Sequence, residues 1–365
     1  LTTLADVVAY VIGVDTHKEQ HTAAVVDARG GVVEEVEVRA AGGGYRQLLH
    51  LAEEQAEGIR AWAIEGTGSY GTGLADFLRE QGEWVIESER PKRSTRRRGK
   101  SDIIDARRAA RDALALEVEK VGSPRQGGDR KELSLLLVTR DQVMRARTRT
   151  MNQLYAAITE APEELRARLR GMSGQKLLQA CTQLRHRRRE DPEWETYVVV
   201  IRDMARRALA LGKEAKQYEQ LITVKVEQTM PGLLQEVGVG PISAGLLLCS
   251  WSHPGRFRSE AAFARMSGSA PLEASSGENQ RHRLDPGGDR QLNRALHMIA
   301  VNRQQRDPAT IEYTQRRRQE GKTPRETKRC LKRYLARKLF RLMERASTAR
   351  ESGEQMYVHK GSVAA

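Results

Sequence analysis

Two apolar, β-rich runs that each stop at a carboxylate limit what this chain can fold into. Val7–Val14 is closed by Asp15, and Arg60–Ile64 reads as a strand closed by Glu65. Between them lie two further β-rich stretches, Thr22–Asp27 and Gly31–Val38, divided by the turn signal Arg29-Gly30-Gly31. A helical pattern starts after Gly42-Gly43-Gly44, with Leu48, Leu49 and Ala52 on one face. A helix over 71–80 and a strand at Trp84–Glu87 complete a β-β-β-α-β-α-β order. A meander that passes into alternating α and β predicts an α/β domain whose polar site gathers at strand ends.

From about Ser101 the pattern turns helical. One long helix carries Leu133, Leu137, Met144, Met151, Leu154 and Ile158 at three- and four-residue spacing. A second carries Ile201, Met204, Ala208, Leu211, Ala215, Tyr218 and Ile222. These are coiled-coil-like seams, joined through the charged stretch Arg185–Glu195, and they suit either an intramolecular hairpin or an oligomerisation arm. Arg140 and Arg147 fall on the first seam, where they need carboxylates or phosphates as partners. A helical C-terminal domain starts near Pro231-Gly232 and runs to about Met343. Its last helix, Thr327–Met343, carries Leu331, Leu335, Leu339 and Leu342 on one face, and its Lys and Arg suit either nucleic acid or snorkelling around a packed core. The stretch after Arg350 has few large apolar residues and is expected to fray.

Charge narrows the partner. The 365 residues hold 62 Lys+Arg against 48 Asp+Glu, a net charge of +14, which points to a polyanion, nucleic acid before membrane surface. No apolar run approaches the length of a membrane span, and the N-terminus has no signal-peptide layout. The three cysteines, Cys181, Cys249 and Cys330, form no CxxC pair, so neither a zinc ribbon nor a disulfide scaffold is expected. A reduced cytoplasmic compartment is the expectation.

Within so basic a chain, four acids stand out. Asp15 and Glu65 end strands, and Asp102 and Asp105 lie three apart near a helix start, a spacing that places both on one helix face. Phosphoryl transfer on nucleic acid uses hard cations in oxygen cages, and carboxylates at neighbouring strand ends completed by a helix supply one suited to two Mg²⁺ ions. Just before the pair comes a basic run with Arg93, Arg96, Arg97, Arg98 and Lys100, placed where a phosphate backbone would pass. Downstream, Gly238-Val239-Gly240 enters a helix either as a phosphate-facing turn or as a plain tight one. Ser275 and Ser276 lie in a small-residue segment, followed by Arg281, Arg283, Arg290 and Arg294. A serine among arginines can attack a phosphodiester while guanidinium groups neutralise the developing charge.

Asp15 within VIGVDTHK, Glu65 within EGTGSY, and Asp102 and Asp105 within GKSDIIDA resemble the DEDD insertion-sequence transposases, a family related to the Piv-type DNA invertases. The blocks MPGLLQEVGVGPISA, ARMSGSAPLEASSG and RHRLDPGGDRQLNRALH resemble that family's second domain. The resemblance implies α/β plus α architecture: a RuvC-like, RNase H-type domain over 7–115, a helical coiled-coil-like region over 116–228, a mainly helical transposase domain over 229–345 and a tail over 346–365. It further implies a recombinase that mobilises an insertion sequence in a prokaryotic, nucleoid-associated setting. It implies a structured non-coding bridge RNA that pairs with target and donor DNA, Mg²⁺ on the four carboxylates, and a serine that becomes covalently joined to DNA. That serine maps to Ser276, with Ser275 the close alternative. A homo-tetramer, a dimer of dimers with active sites shared between protomers, is implied as well. The rival readings are a RuvC-like metal-dependent nuclease or junction resolvase without a covalent serine, and a non-catalytic nucleic-acid-binding relative.

Overall fold

The computed structural model describes residues 2–88, 102–185, 192–270, 272–273, 282–283, 285 and 288–361. The chain divides into two compact units, the first holding Leu1–Gly128, Trp251–Asp289 and Lys332–Ala365, the second Asp129–Ser250 and Arg290–Leu331.

In the first unit, β1 (Tyr10–Thr16), β2 (Gln20–Asp27), β3 (Val32–Arg39), β4 (Arg60–Glu65) and β5 (Trp84–Ser88) form one sheet in the order β3-β2-β1-β4-β5. β1, β2 and β3 pair antiparallel, whereas β4 and β5 run parallel to β1. The change follows from the connections. A few residues suffice to turn β1 into β2 and β2 into β3, but reaching β4 and β5 takes the helical crossovers α1 (Gly42–Gln55) and α2 (Thr72–Glu80). The β-β-β-α-β-α-β order expected from the sequence is the order found.

Alternation along the strands divides the core by face. Ile12, Val14, Trp62 and Ile64 pack toward α1 and α2 with Leu48, Leu74 and Leu78. Val11, Ala61, Ala63 and Ile86 pack on the other side with Ala106, Ala110 and Ala113 of α3 (Asp102–Leu114). α3 approaches β1 closely because the facing residues are small: a Cβ on Gly13 would stand 2.1 Å from the Ala106 carbonyl oxygen. The remainder of this unit has an aromatic core in which Phe257, Phe263 and Phe340 stack edge and face. Arg256 ties it to the sheet through an ion pair with Glu87 of β5 at 3.0 Å.

In the second unit, α4 (Asp129–Glu160) and α7 (Pro192–Thr229) run antiparallel: Lys225 meets Asp129, Glu219 meets Arg140, and Gly212 meets Arg147. Ile201, Ala208, Ala215 and Ile222, seven apart, are all buried, which is the seam expected from spacing. The connection between these helices is more structured than a charged linker. α5 (Glu163–Leu169) and α6 (Gly174–Thr182) lie within it, and Leu165, Leu177, Leu178 and Cys181 bury against Leu154, Trp194 and Val198.

The Gly-x-Gly turn leads into α8 (Pro241–Trp251), and packing accounts for its first glycine. Gly238 has φ 81°, and a Cβ there would lie 3.0 Å from both the Arg303 side chain and the Ile299 carbonyl of α10 (Arg290–Arg306). Arg303 is buried and held by Asp307 at 2.8 Å and Glu236 at 3.2 Å. α9 (Glu260–Met266), the short pair β6 (Leu272–Glu273) and β7 (His282–Arg283), α11 (Pro308–Gln319) and α12 (Pro324–Gly361) complete the chain. On α12, Leu331, Leu335, Leu339 and Met343 are buried, so packing accounts for that face. The α12 backbone stays helical through Gly361, into the stretch expected to fray.

Candidate active site

The register of the sheet brings the acids to one place. Val14 pairs with Ile64, so Asp15 and Glu65 are the next residues along on neighbouring parallel strands, at their carboxyl ends. Both share the parity of Gly13, Ala61 and Ala63, the residues that face α3. On α3, Asp102 and Asp105 stand one turn before Ala106 and Ala109, on the stripe buried against the sheet. Close packing of Gly13 on Ala106 therefore lowers the helix start onto the strand ends. Thr16 Oγ donates to the Glu65 carbonyl at 2.8 Å, locking the two strand ends together.

Asp15 is buried, with 8% of its surface exposed. Burial pushes its carboxyl above the ordinary carboxylate value; His17 opposes the rise, and the negative charges of Glu65, Asp105 and Asp102 add to it. All three other acids therefore lie within electrostatic reach of Asp15. His17 Nε2 stands 3.3 Å from Asp15 Oδ2 and 3.4 Å from Asp102 Oδ1. One ligand atom from each of Asp15, His17 and Asp102 fits within a 4.8 Å cluster, a spacing that can hold a metal ion. Asp105 is also held by Arg108 at 2.7 Å. The donor set suits a hard divalent cation, because a buried carboxylate raised by like neighbours gains most from a positive charge among them. His17 lies inside the VDTHK segment, yet sequence reasoning gave it no role. Its only signal was its place two residues after a strand-ending aspartate.

The other expected residues fall in different settings. Arg93, Arg96, Arg97, Arg98 and Lys100 lie outside the described residues, as do Ser275, Ser276 and Arg281. β6 and β7 pair antiparallel, Glu273 opposite His282 and Leu272 opposite Arg283, so both serines belong to the segment joining two paired strands. The Arg283 side chain is likewise outside the description. In the second unit, Arg140 meets Glu219 at 2.8 Å, and Arg294 meets Asp141 at 3.2 Å while staying exposed; Arg290 is exposed at the start of α10.

A further residue that the sequence reading did not single out is Arg125. Its side chain lies over Gly68, in the loop after Glu65, where a Cβ would stand 3.4 Å from Nη1. Nη2 reaches Asp289 Oδ2 at 3.8 Å. Next to Asp289, Gly288 packs so tightly on Gly268 that a Cβ would fall 2.4 Å from its backbone nitrogen, and the Asp289 amide donates to the Met266 carbonyl at 2.7 Å. Within the first unit, Arg125 thus joins the loop following Glu65 to the residues just beyond the β6–β7 pair.

A mixed sheet with acids converging at its carboxyl end, beside a mostly helical remainder, is the setting in which the family comparison falls. Residues 12–161 match the DEDD domain model described as "Transposase". Residues 232–315 match the model described as "Transposase IS116/IS110/IS902 family". Two stretches of the chain are thus similar, in order, to two domain models of IS110-type transposases. It is 32% identical over 135 residues to the "Insertion element IS110 uncharacterized 43.6 kDa protein" of Streptomyces coelicolor. That alignment covers 36% of this chain and 33% of the relative, so the chain spans about a third of the curated relative it matches. No helix among the described residues is long and apolar enough to cross a membrane.

Proposed function

We propose that this protein is a transposase that cuts and rejoins DNA at the ends of an insertion sequence by a metal-dependent phosphoryl transfer. The observation that carries the proposal is the convergence of Asp15, Glu65, Asp102 and Asp105 in a chain of net charge +14. A polyanion-binding surface alone has no use for clustered carboxylates, which repel phosphate and one another. Mg²⁺ bound there supplies Lewis-acid stabilisation of charge on phosphoryl oxygens.

The chain's own residues account for the remaining parts. Asp15 and Glu65 fix the ligand oxygens on rigid strand ends, and Asp102 and Asp105 complete the set from α3. Ser276, or Ser275 beside it, is the nucleophile. Its hydroxyl oxygen forms a bond to phosphorus, the bond from phosphorus to the leaving deoxyribose oxygen breaks, and that oxygen leaves protonated. The DNA stays joined to the serine until the freed hydroxyl of the other strand reverses the exchange, with no net hydrolysis. Arg93, Arg96, Arg97, Arg98, Lys100, Arg281, Arg283, Arg290 and Arg294 grip phosphates, and Arg140 and Arg147 do so from the helical region. Target and donor choice belongs to base pairing with a structured bridge RNA. The working form is a tetramer in which one protomer's carboxylates act with another's serine.

The test is a covalent adduct on denaturing gels, using labelled DNA of the element's ends, the flanking RNA and Mg²⁺. The expected result is a protease-sensitive adduct that Ser276→Ala removes. An adduct surviving in both Ser276→Ala and Ser275→Ala removes the serine from the account. Mg²⁺-dependent nicking without any adduct turns the reading into that of a hydrolytic nuclease.

A further inference from the structure

We infer that a cleft between α4, α6 and α7 in the second unit is a binding site for backbone phosphates of a polynucleotide, separate from the cleavage centre. The cleft measures about 570 Å³. Its depth comes from small residues on α7: Ala208, Gly212 and Ala215 leave a recess that longer side chains would fill. Arg147 of α4 lies across Gly212, where a Cβ would stand 3.3 Å from Nε. Lys213 and Lys216 stand exposed on the rim. Arg140 lines the same space and donates to Glu219 at 2.8 Å, while its Nε is buried without a partner among the described residues.

Among the described residues, four cations thus line the cleft beside one carboxylate. The contrast with neighbouring positions is what assigns the cleft. Along the same helices Arg145 sits on Asp141 at 2.7 Å, Arg206 on Asp203 at 3.6 Å, and Lys225 on both Asp129 and Glu132. Among the described residues, Arg147, Lys213 and Lys216 form no ion pair, and Glu219 is taken up by Arg140. Uncompensated like charges around a recess raise the energy of the free protein and are relieved by an anion. A phosphodiester suits them: the Arg147 fork at the recess matches its two free oxygens, and the lysines act as point charges on neighbouring phosphates. Among the described residues no aromatic side chain lines the cleft, so they offer a base nothing to stack on and suit the backbone.

The experiment measures binding of the full-length protein to a labelled DNA duplex and, separately, a labelled RNA hairpin, by fluorescence anisotropy across a salt series. Arg147→Gln, Lys213→Gln and Lys216→Gln are combined in one variant. Each lost phosphate contact lowers the log–log salt slope by about 0.9 on duplex DNA and about 0.7 on a single strand, so the triple variant should lose about 2–3 in slope. Affinity near physiological salt should fall about tenfold or more. Gly212→Leu fills the recess without altering charge and should weaken binding as well, which covers the case of a triple variant that folds poorly. Neutralising the paired Arg145 and Arg206 together should change the slope less. Replacing both lysines by arginine should preserve it. A loss confined to DNA, confined to RNA or shared by both supports the site and names the strand it holds. Slopes and affinities unchanged for both polymers in the triple variant and in Gly212→Leu overturn it. Strand cleavage does not enter the readout, so failure of the proposed chemistry would leave this result standing.

Discussion

The two ends of the central sheet bury carboxylates in opposite ways. At the amino-terminal end of β5, Glu83 accepts hydrogen bonds from Arg60 at 2.9 and 2.6 Å and from the Trp62 indole at 2.7 Å. Burial pushes Glu83 up, but the bonds from Arg60 and Trp62 and the charge of Arg60 outweigh it and hold the carboxyl below its ordinary value. At the carboxyl end, Asp15 is buried among other acids and raised, with His17 opposing the rise among the described residues. The first end is a closed set of partners and contributes stability. The second gathers like charges, brought together by Gly13, the α3 alanines and the strand register. Within one scaffold, a buried carboxylate raised by its like neighbours marks the place where a cation gains most.

The largest expected effect breaks the closed end. Glu83→Ala leaves the Arg60 guanidinium buried beside an empty space and should cost about 3–5 kcal/mol, read from denaturant unfolding of the first unit. The pH dependence has a fixed sign. Because the Glu83 carboxyl is lowered on folding, its contribution is complete above the ordinary carboxylate range and is lost as pH falls through its folded value. Wild type should therefore lose more stability on acidification than Glu83→Gln.

At the open end, Asp102→Asn should leave the fold intact and lower the rate of Mg²⁺-dependent strand transfer by about a hundredfold or more, measured in single-turnover assays. A stability loss as large as that of Glu83→Ala would erase the distinction between the ends. Gly13→Ala should have an intermediate effect. Its methyl meets the Ala106 carbonyl, so α3 must lift from β1, at a cost of about 1–3 kcal/mol in stability and with a parallel loss of strand transfer.

Much of this was legible because strand patterns are local. Asp15 and Glu65 end apolar runs, and the spacing of Asp102 and Asp105 places them on one helix face. The sequence also carried the small residues Gly13, Ala106 and Ala110, but their meaning depends on a contact between segments far apart in the chain. Pairs joined only by parallel register or antiparallel helix packing left no local pattern: Arg60 with Glu83, and Arg140 with Glu219, which lie 79 residues apart. α5 and α6 went unread because each is short and its apolar face is matched by Leu154, Trp194 and Val198, partners from two other helices. Ser275 and Ser276 are read from the family motif alone, and they lie outside the described residues, between the paired strands β6 and β7.

The most direct measurement is the melting temperature of wild type and Asp15→Asn, each in EDTA and in Mg²⁺. In EDTA the variant should melt about 2–4 °C higher, because it removes a buried charge from a like-charged cluster. Mg²⁺ should raise the wild type and leave the variant unmoved, since an ion that binds only the folded carboxylate set stabilises that state alone. An equal Mg²⁺ shift in both proteins, or a variant that melts below wild type in EDTA, would contradict the account of this sheet end as a metal-dependent centre.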